Sequence, residues 1–144
     1  MMPAKEQAER QAVIAEALSW ERTPYHHRAG LKGVGVDCAY LPLRVYHAVG
    51  LIPLIEPPDY PIDWFLHRSA ETYYNVLIQY GHPVTTPQPG DMAMFRFGRV
   101  QYAHGCILIA PGMMLHAENG VGVVRAQLAG HPLEDRLSGY FSLW

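Results

Sequence analysis

A chain of 144 residues and 16.2 kDa has the length of one domain and can bury a core of its own, so residues 1–144 are expected to form a single unit. With 49% hydrophobic and 17% charged residues the composition is that of an ordinary globular protein, without the polar tracts of a disordered chain. A net charge of −2 and a pI near 6.4 argue against a role built on nucleic-acid phosphates; no stretch approaches the ~20 apolar residues of a membrane span, and the first residues lack a signal-peptide core, so synthesis in the cytoplasm is expected.

Residues 4–19 are rich in Ala, Gln, Glu and Leu, and Ile14, Ala17 and Leu18 recur at helical spacing, which predicts an amphipathic helix. The run ERTPYHHRAGLKGVGVD, residues 21–37, breaks every period with Pro24, Gly30, Gly33 and Gly35 and reads as a loop. A helix is predicted from about Cys38 to Val49, stopped by Gly50, with Pro42 inside its first turn. After the proline-rich LIPLIEPPDYP, Asp63 is expected to cap a helix over 64–80 whose stripe of Phe65, Ser69, Tyr73, Val76 and Tyr80 packs in the core, with Gly81 as its stop. Beyond HPVTTPQPGD come MAMFRF, HGCILIA, MMLHA and VGVVRAQL, short apolar runs separated by glycine turns, and SGYFSLW as a last strand. Strands of this kind predict an antiparallel meander, and helices followed by strands predict an α+β domain.

The two cysteines occupy contrasting settings. Cys38 falls between a glycine-rich loop and a helix start, where unpaired backbone N–H groups and the helix dipole favour a thiolate and can also receive an oxyanion. It is therefore expected to be partly exposed, with a pKa below the ~8.5 of a free thiol. Cys106 sits in GCILIA, where apolar neighbours should bury it; the two are expected to be free thiols, and Cys38 to be the one alkylated near pH 6. A nucleophile needs a base, and His104 and His116 fall in predicted strands. If Ala110, Pro111 and Gly112 form a loop closed by Ile109 and Met113, Glu118 lies opposite His104 and His116 is its diagonal neighbour on the same face, ~7–8 Å away at the backbone and within reach of imidazoles. A Cys, His, His relay is then geometrically possible.

The runs TPYHHRAGLKGVGVDCAYLPLRVYHAVGL, QPGDMAMF and AHGCILIAPGMMLHAENGVGVV resemble the NlpC family of papain-like cysteine peptidases that cut bacterial cell-wall peptides, particularly the forms found in phage tails and gene transfer agents. The resemblance covers roughly residues 20–125. It implies a papain-like α+β fold with N-terminal helices packed on an antiparallel sheet, and a single catalytic domain. It makes Cys38 the nucleophile, His104 the general base and then acid, and His116 the residue that orients it. Tyr25 matches a tyrosine that leans over the thiol and helps bind substrate or oxyanion, and Asp37 holds the loop or a substrate amine. Pro89, Gly90 and Asp91 match a turn into the first strand. Two departures are Ala39 and Tyr40 where the family commonly has Ser-Gly, and Gly105 where a small β-branched residue is usual; the bulk of Tyr40 bears on the substrate groove.

The function expected is hydrolysis of amide bonds in peptidoglycan stem peptides, with neither metal nor organic cofactor, and with phage-tail proteins as partners and the virion tail as destination. An acyltransferase, deamidase or amidase on the same fold, and a tail-assembly component without activity, are the alternatives. His26 and His27 read as loop residues lining the groove more readily than as a metal pair. Glu118 or Asn119 is the alternative orienter of His104, Asp59, Asp63 and Glu71 read as capping or solvated charges, and His67, His82 and His131 fit no pattern.

Overall fold

The computed structural model describes residues 1–56, 75, 77–98 and 100–144. Helix α1 spans Ala4–Ser19, as its composition predicts, but its inward face is Arg10, Val13 and Ala17, with Ile14 and Leu18 half-buried beside them. The predicted loop that follows contains a small hairpin, β1 (Gly30–Leu31) with β2 (Gly35–Val36). Its turn needs Gly33, whose φ of 78° other residues resist. Helix α2, Tyr40–Ala48, ends as expected at Gly50 (φ 79°), with the Leu51 N–H donating to the Tyr46 carbonyl at 3.0 Å. The predicted helix over 64–80 lies largely outside the described residues, as do Asp59, Asp63, His67 and Glu71; residues 77–80 are helical. Within that segment Leu77 is buried and Tyr80 exposed, so the end of the expected stripe turns outward.

The remaining strands are β3 (His82–Val84), β4 (Met92–Phe97), β5 (Val100–Ala110), β6 (Met113–Glu118), β7 (Gly122–Gln127) and β8 (Leu137–Ser142). They form an antiparallel sheet in the order β3-β8-β4-β5-β6-β7. Strands β4 to β7 are the predicted meander; β8 departs from it by crossing back to lie between β3 and β4. The alternation of each strand feeds two apolar layers. Met92, Met94, Ile107 and Leu115 pack under α1 and α2 against Val13, Ala17, Leu41 and Val45. On the other face Ala93, Phe95, Cys106, Leu108 and Met114 are covered by Leu133. Both faces being buried, the strands read as continuous apolar runs rather than alternating ones.

The Pro89, Gly90, Asp91 turn is tied to α1 by Arg10, which donates to the Asp91 carboxylate at 2.9 Å and the Pro89 carbonyl at 3.1 Å. The Tyr46 hydroxyl donates to the Gly90 carbonyl at 2.8 Å. Both charged partners are buried, the kind of pair whose rupture costs about 3–5 kcal/mol. No described helix is long and apolar enough to cross a membrane.

Candidate functional site

The start of α2 is set by Asp37. One carboxylate oxygen accepts from the N–H groups of Ala39 (3.1 Å) and Tyr40 (3.0 Å), and the other from the Arg28 N–H at 2.8 Å. The side chain caps the helix and staples the preceding loop to it, placing Cys38 in the first turn. Of the two roles expected for Asp37, the geometry provides the loop-holding one: the carboxylate is buried on backbone donors. Asp37→Ala would strand these three N–H groups and is expected to lower stability by about 2–4 kcal/mol, with Asp37→Asn losing less because its amide oxygen still caps; urea denaturation midpoints check the order.

Tyr25 is delivered to the thiol by a strap of backbone hydrogen bonds. The Val123 N–H donates to the Thr23 carbonyl at 2.9 Å, the Val36 N–H to the Pro24 carbonyl at 3.0 Å and the His26 N–H to the Val36 carbonyl at 3.0 Å. Gly122 permits this close approach, since a Cβ there would stand 2.7 Å from the Thr23 carbonyl oxygen. Tyr25 and Cys38 thereby come to line the same cavity.

His104 and His116 come from adjacent strands. Ile107 pairs with Leu115 and Leu108 with Met114, the predicted register, although the connection is tighter than expected: Ala110 pairs with Met113 across a bulge. The β5–β6 ladder runs only from Ile107 to Ala110, whereas β4 still braces β5 at Phe95↔His104 and β7 braces β6 at His116↔Val124. Across this splay the rings meet, His104 Nε2 lying 3.1 Å from His116 Nδ1. Glu118 and Asn119, the alternative orienters, do not hold that nitrogen.

Cys38, Tyr25, His104, His116, Glu118 and Asn119 all border one cavity of about 440 Å³, which Phe97, His131, Pro132 and Leu133 also line. Tyr40 is turned away from it. Its ring packs on the Arg44 guanidinium, 4.9 Å away, and its hydroxyl donates to Glu56 at 3.3 Å; Gly30 makes room, since a Cβ there would stand 2.6 Å from that ring. His26 and His27 stay in their loop, with His26 Nδ1 3.2 Å from the His27 carbonyl. Among the described residues no three His, Cys, Asp or Glu side chains are grouped to hold a metal ion.

Electrostatics departs from the expectation for Cys38. The thiol is buried, and its pKa is raised, first by burial and then by the Asp37 carboxylate. The Tyr25 hydroxyl and the N–H groups of Cys38 and Ala39 act in the opposite sense but do not prevail. His104 is pushed down to about 3, first by burial and then by His116 and His131. Burial thus disfavours charge on both the thiol and the imidazole, because separating charge in a desolvated pocket is costlier than the helix start can offset. Cys106 is sealed in the sheet, and burial pushes it up to about 12. Iodoacetamide is expected to modify Cys38 first, because it opens on the cavity, but slowly at pH 6 and faster as pH rises past 9. Peptide mapping that finds Cys106 modified first in the folded protein would contradict this.

A sequence model of the NlpC/P60 family matches residues 22–141. The chain belongs to the NlpC/P60 family. Solved structures share its fold. A lipoprotein-like NLP/P60 protein of Staphylococcus aureus is 21% identical with a TM-score of 0.66, over 94% of this chain and 41% of that one. The P60 domain of an antigen from Mycobacterium avium subspecies paratuberculosis is 19% identical with a TM-score of 0.64, over 96% of each chain. The NlpC/P60 domain of the peptidoglycan hydrolase SagA is 18% identical with a TM-score of 0.59, over 92% of this chain and 95% of that one. Comparison with curated protein sequences finds no significant match. The chain thus spans about two fifths of the staphylococcal protein but nearly all of the two isolated domains. The NlpC/P60 fold is the papain-like α+β arrangement expected from the sequence. What the sequence did not reveal is the part of the lining supplied by Phe97 and by His131 to Leu133, for no local pattern marks strand or turn residues that meet only in the fold.

Proposed function

We propose that the protein is a cell-wall cysteine hydrolase, an endopeptidase on peptidoglycan stem peptides, with Cys38 as nucleophile, His104 as general base and then acid, and His116 as the residue that orients His104. The observation that carries this reading is the 3.1 Å contact between His104 and His116 in the wall of a cavity that the Cys38 thiol also borders. Family membership supports the substrate class, as does the description of SagA as a peptidoglycan hydrolase.

The chemistry follows from proton positions. To act as a base His104 must be neutral and must carry its own hydrogen on Nε2, donated to His116 Nδ1; its Nδ1 lone pair is then free for the thiol. As Cys38 Sγ attacks the amide carbonyl carbon, its proton passes to His104 Nδ1. The oxyanion is received by the Cys38 N–H at the helix start and by the Tyr25 hydroxyl. His104 returns the proton to the leaving nitrogen, the C–N bond breaks, and a thioester on Cys38 remains. A water deprotonated by His104 releases the carboxylic acid and restores the thiol. A neutral resting pair makes proton transfer concurrent with attack, and so dependent on a well-placed substrate. Glu118 lines the same cavity and offers a carboxylate to a substrate ammonium, the role for which Asp37 is already committed elsewhere.

Digestion of purified peptidoglycan of several wall types, followed by mass spectrometry, tests the reading. A new amine together with a new carboxylate, without any added acceptor, is the expected product. Product only with an added amine would mark an acyltransferase, ammonia a deamidase, and inertness toward every wall type would overturn the proposal. The phage-tail setting rests on the sequence resemblance, and co-purification of tail proteins with the full chain is its test.

A further inference from the structure

The proton arrangement required for His104 leaves one nitrogen to be explained. If His104 Nε2–H donates to His116 Nδ1, then His116 carries its own hydrogen on Nε2. That nitrogen is buried and has no hydrogen-bond partner among the described residues, on a side chain that is itself 1% exposed. A buried donor without an acceptor is costly, and it biases the ring toward the other tautomer, in which Nδ1–H would point at His104 and force the base's hydrogen onto the nitrogen that should face the thiol. Something must favour the arrangement that catalysis needs.

The ring of His131 packs against that of His116. Its centroid is 5.5 Å from that of His116, with the planes at 85°, the edge-to-face geometry in which an N–H can meet a π face. We infer that His131 is a positioning residue, its ring face receiving the His116 Nε2–H and so holding His116, and through it His104, in the tautomer that leaves His104 able to accept a proton. His131 is in turn fixed by its own turn. Its Nδ1 accepts from the Leu133 N–H at 3.1 Å, its backbone N–H donates to the Leu128 carbonyl at 3.1 Å, and its carbonyl accepts from the Glu134 N–H at 3.0 Å. Leu133 anchors that turn in the second apolar layer. Three histidines therefore stand in a row, His104, His116 and His131, each ring perpendicular to the next within a few degrees. The inference rests on the proposed role of His104.

His131 has two separable features, a ring face toward His116 and an acceptor for the Leu133 N–H, and two substitutions separate them. His131→Phe keeps the face and loses the acceptor; His131→Asn keeps a turn acceptor and loses the face. Against a synthetic stem peptide, His131→Phe is expected to retain kcat within about twofold, and His131→Asn to lose about tenfold in kcat with KM little changed. The reverse pattern, or a loss confined to KM in His131→Asn, would reduce His131 to a turn residue or a wall of the cavity. Long-range ¹H–¹⁵N spectra of the histidine rings give a readout independent of turnover: Nε2–H on both His104 and His116 in the wild-type protein and in His131→Phe, and mixed tautomers of His116 in His131→Asn. A wild-type His116 protonated on Nδ1, or an unchanged His116 in His131→Asn, overturns the inference whatever the rates. Correct tautomers in a wild-type protein that cleaves no wall peptide would instead sink the hydrolase reading alone.

Discussion

Cys38→Ala is expected to lower stem-peptide cleavage by about 10⁴-fold or more while the protein remains folded. The size of the effect follows from the chemistry: without a sulfur no thioester forms, and neither His104 nor the oxyanion donors have a nucleophile to assist. The small effect on folding follows from the position. Cys38 borders a cavity at the edge of the first apolar layer, and the helix start is held by Asp37 rather than by the cysteine, so a loss of about 1 kcal/mol is anticipated. Cleavage assays with mass-spectrometric detection, read beside thermal melts, check both halves. A folded variant that retains more than about 1% of wild-type turnover would remove Cys38 from the mechanism.

Much of the frame was legible because it is written locally. Helix α1 announces itself by composition, α2 by its bounding glycine, and the β5–β6 register by the spacing of His104, the Pro-Gly turn and His116. What escaped is written nonlocally. Arg10 looks like one more charge on an amphipathic helix until the Pro89, Gly90, Asp91 turn folds against it. Strand β8 reads as the next step of a meander, and only packing between β3 and β4 gives its place. His131 sits in a polar turn with nothing to mark it, because its significance comes from the chain between β7 and β8 crossing over the histidines. The pKa of Cys38 departs from the expectation for a related reason. A helix start favours a thiolate, but the same residue that makes the helix start, Asp37, brings a carboxylate beside the thiol, and the pocket removes the water that would screen it.

That neutral resting pair shapes what the two histidine substitutions should do. His104→Ala is expected to cost about 10³-fold or more in kcat, since it removes the group that takes the thiol proton and later protonates the leaving nitrogen. His116→Asn should cost about tenfold, because an amide oxygen can still accept the His104 Nε2–H, whereas His116→Ala, which leaves that N–H without an acceptor, should cost about 10²-fold. Equal loss in His104→Ala and His116→Asn would make His116 more than an orienter; an inert His116→Ala together with a damaging Asn119→Ala would transfer the role to Asn119. Stability supplies a second, independent reading. His104 is held at about 3 in the folded protein against an ordinary value of 6.5, so between those values the unfolded chain binds a proton that the folded one refuses. Stability is then complete above about pH 6.5 and declines as pH falls toward 3. His104→Ala removes that proton uptake, and its denaturation midpoint should decline less between pH 6.5 and 4 than that of the wild type. A variant as acid-sensitive as the wild type would mean that His104 is not buried as a neutral ring, and the concurrent proton transfer proposed for attack by Cys38 would lose its starting state.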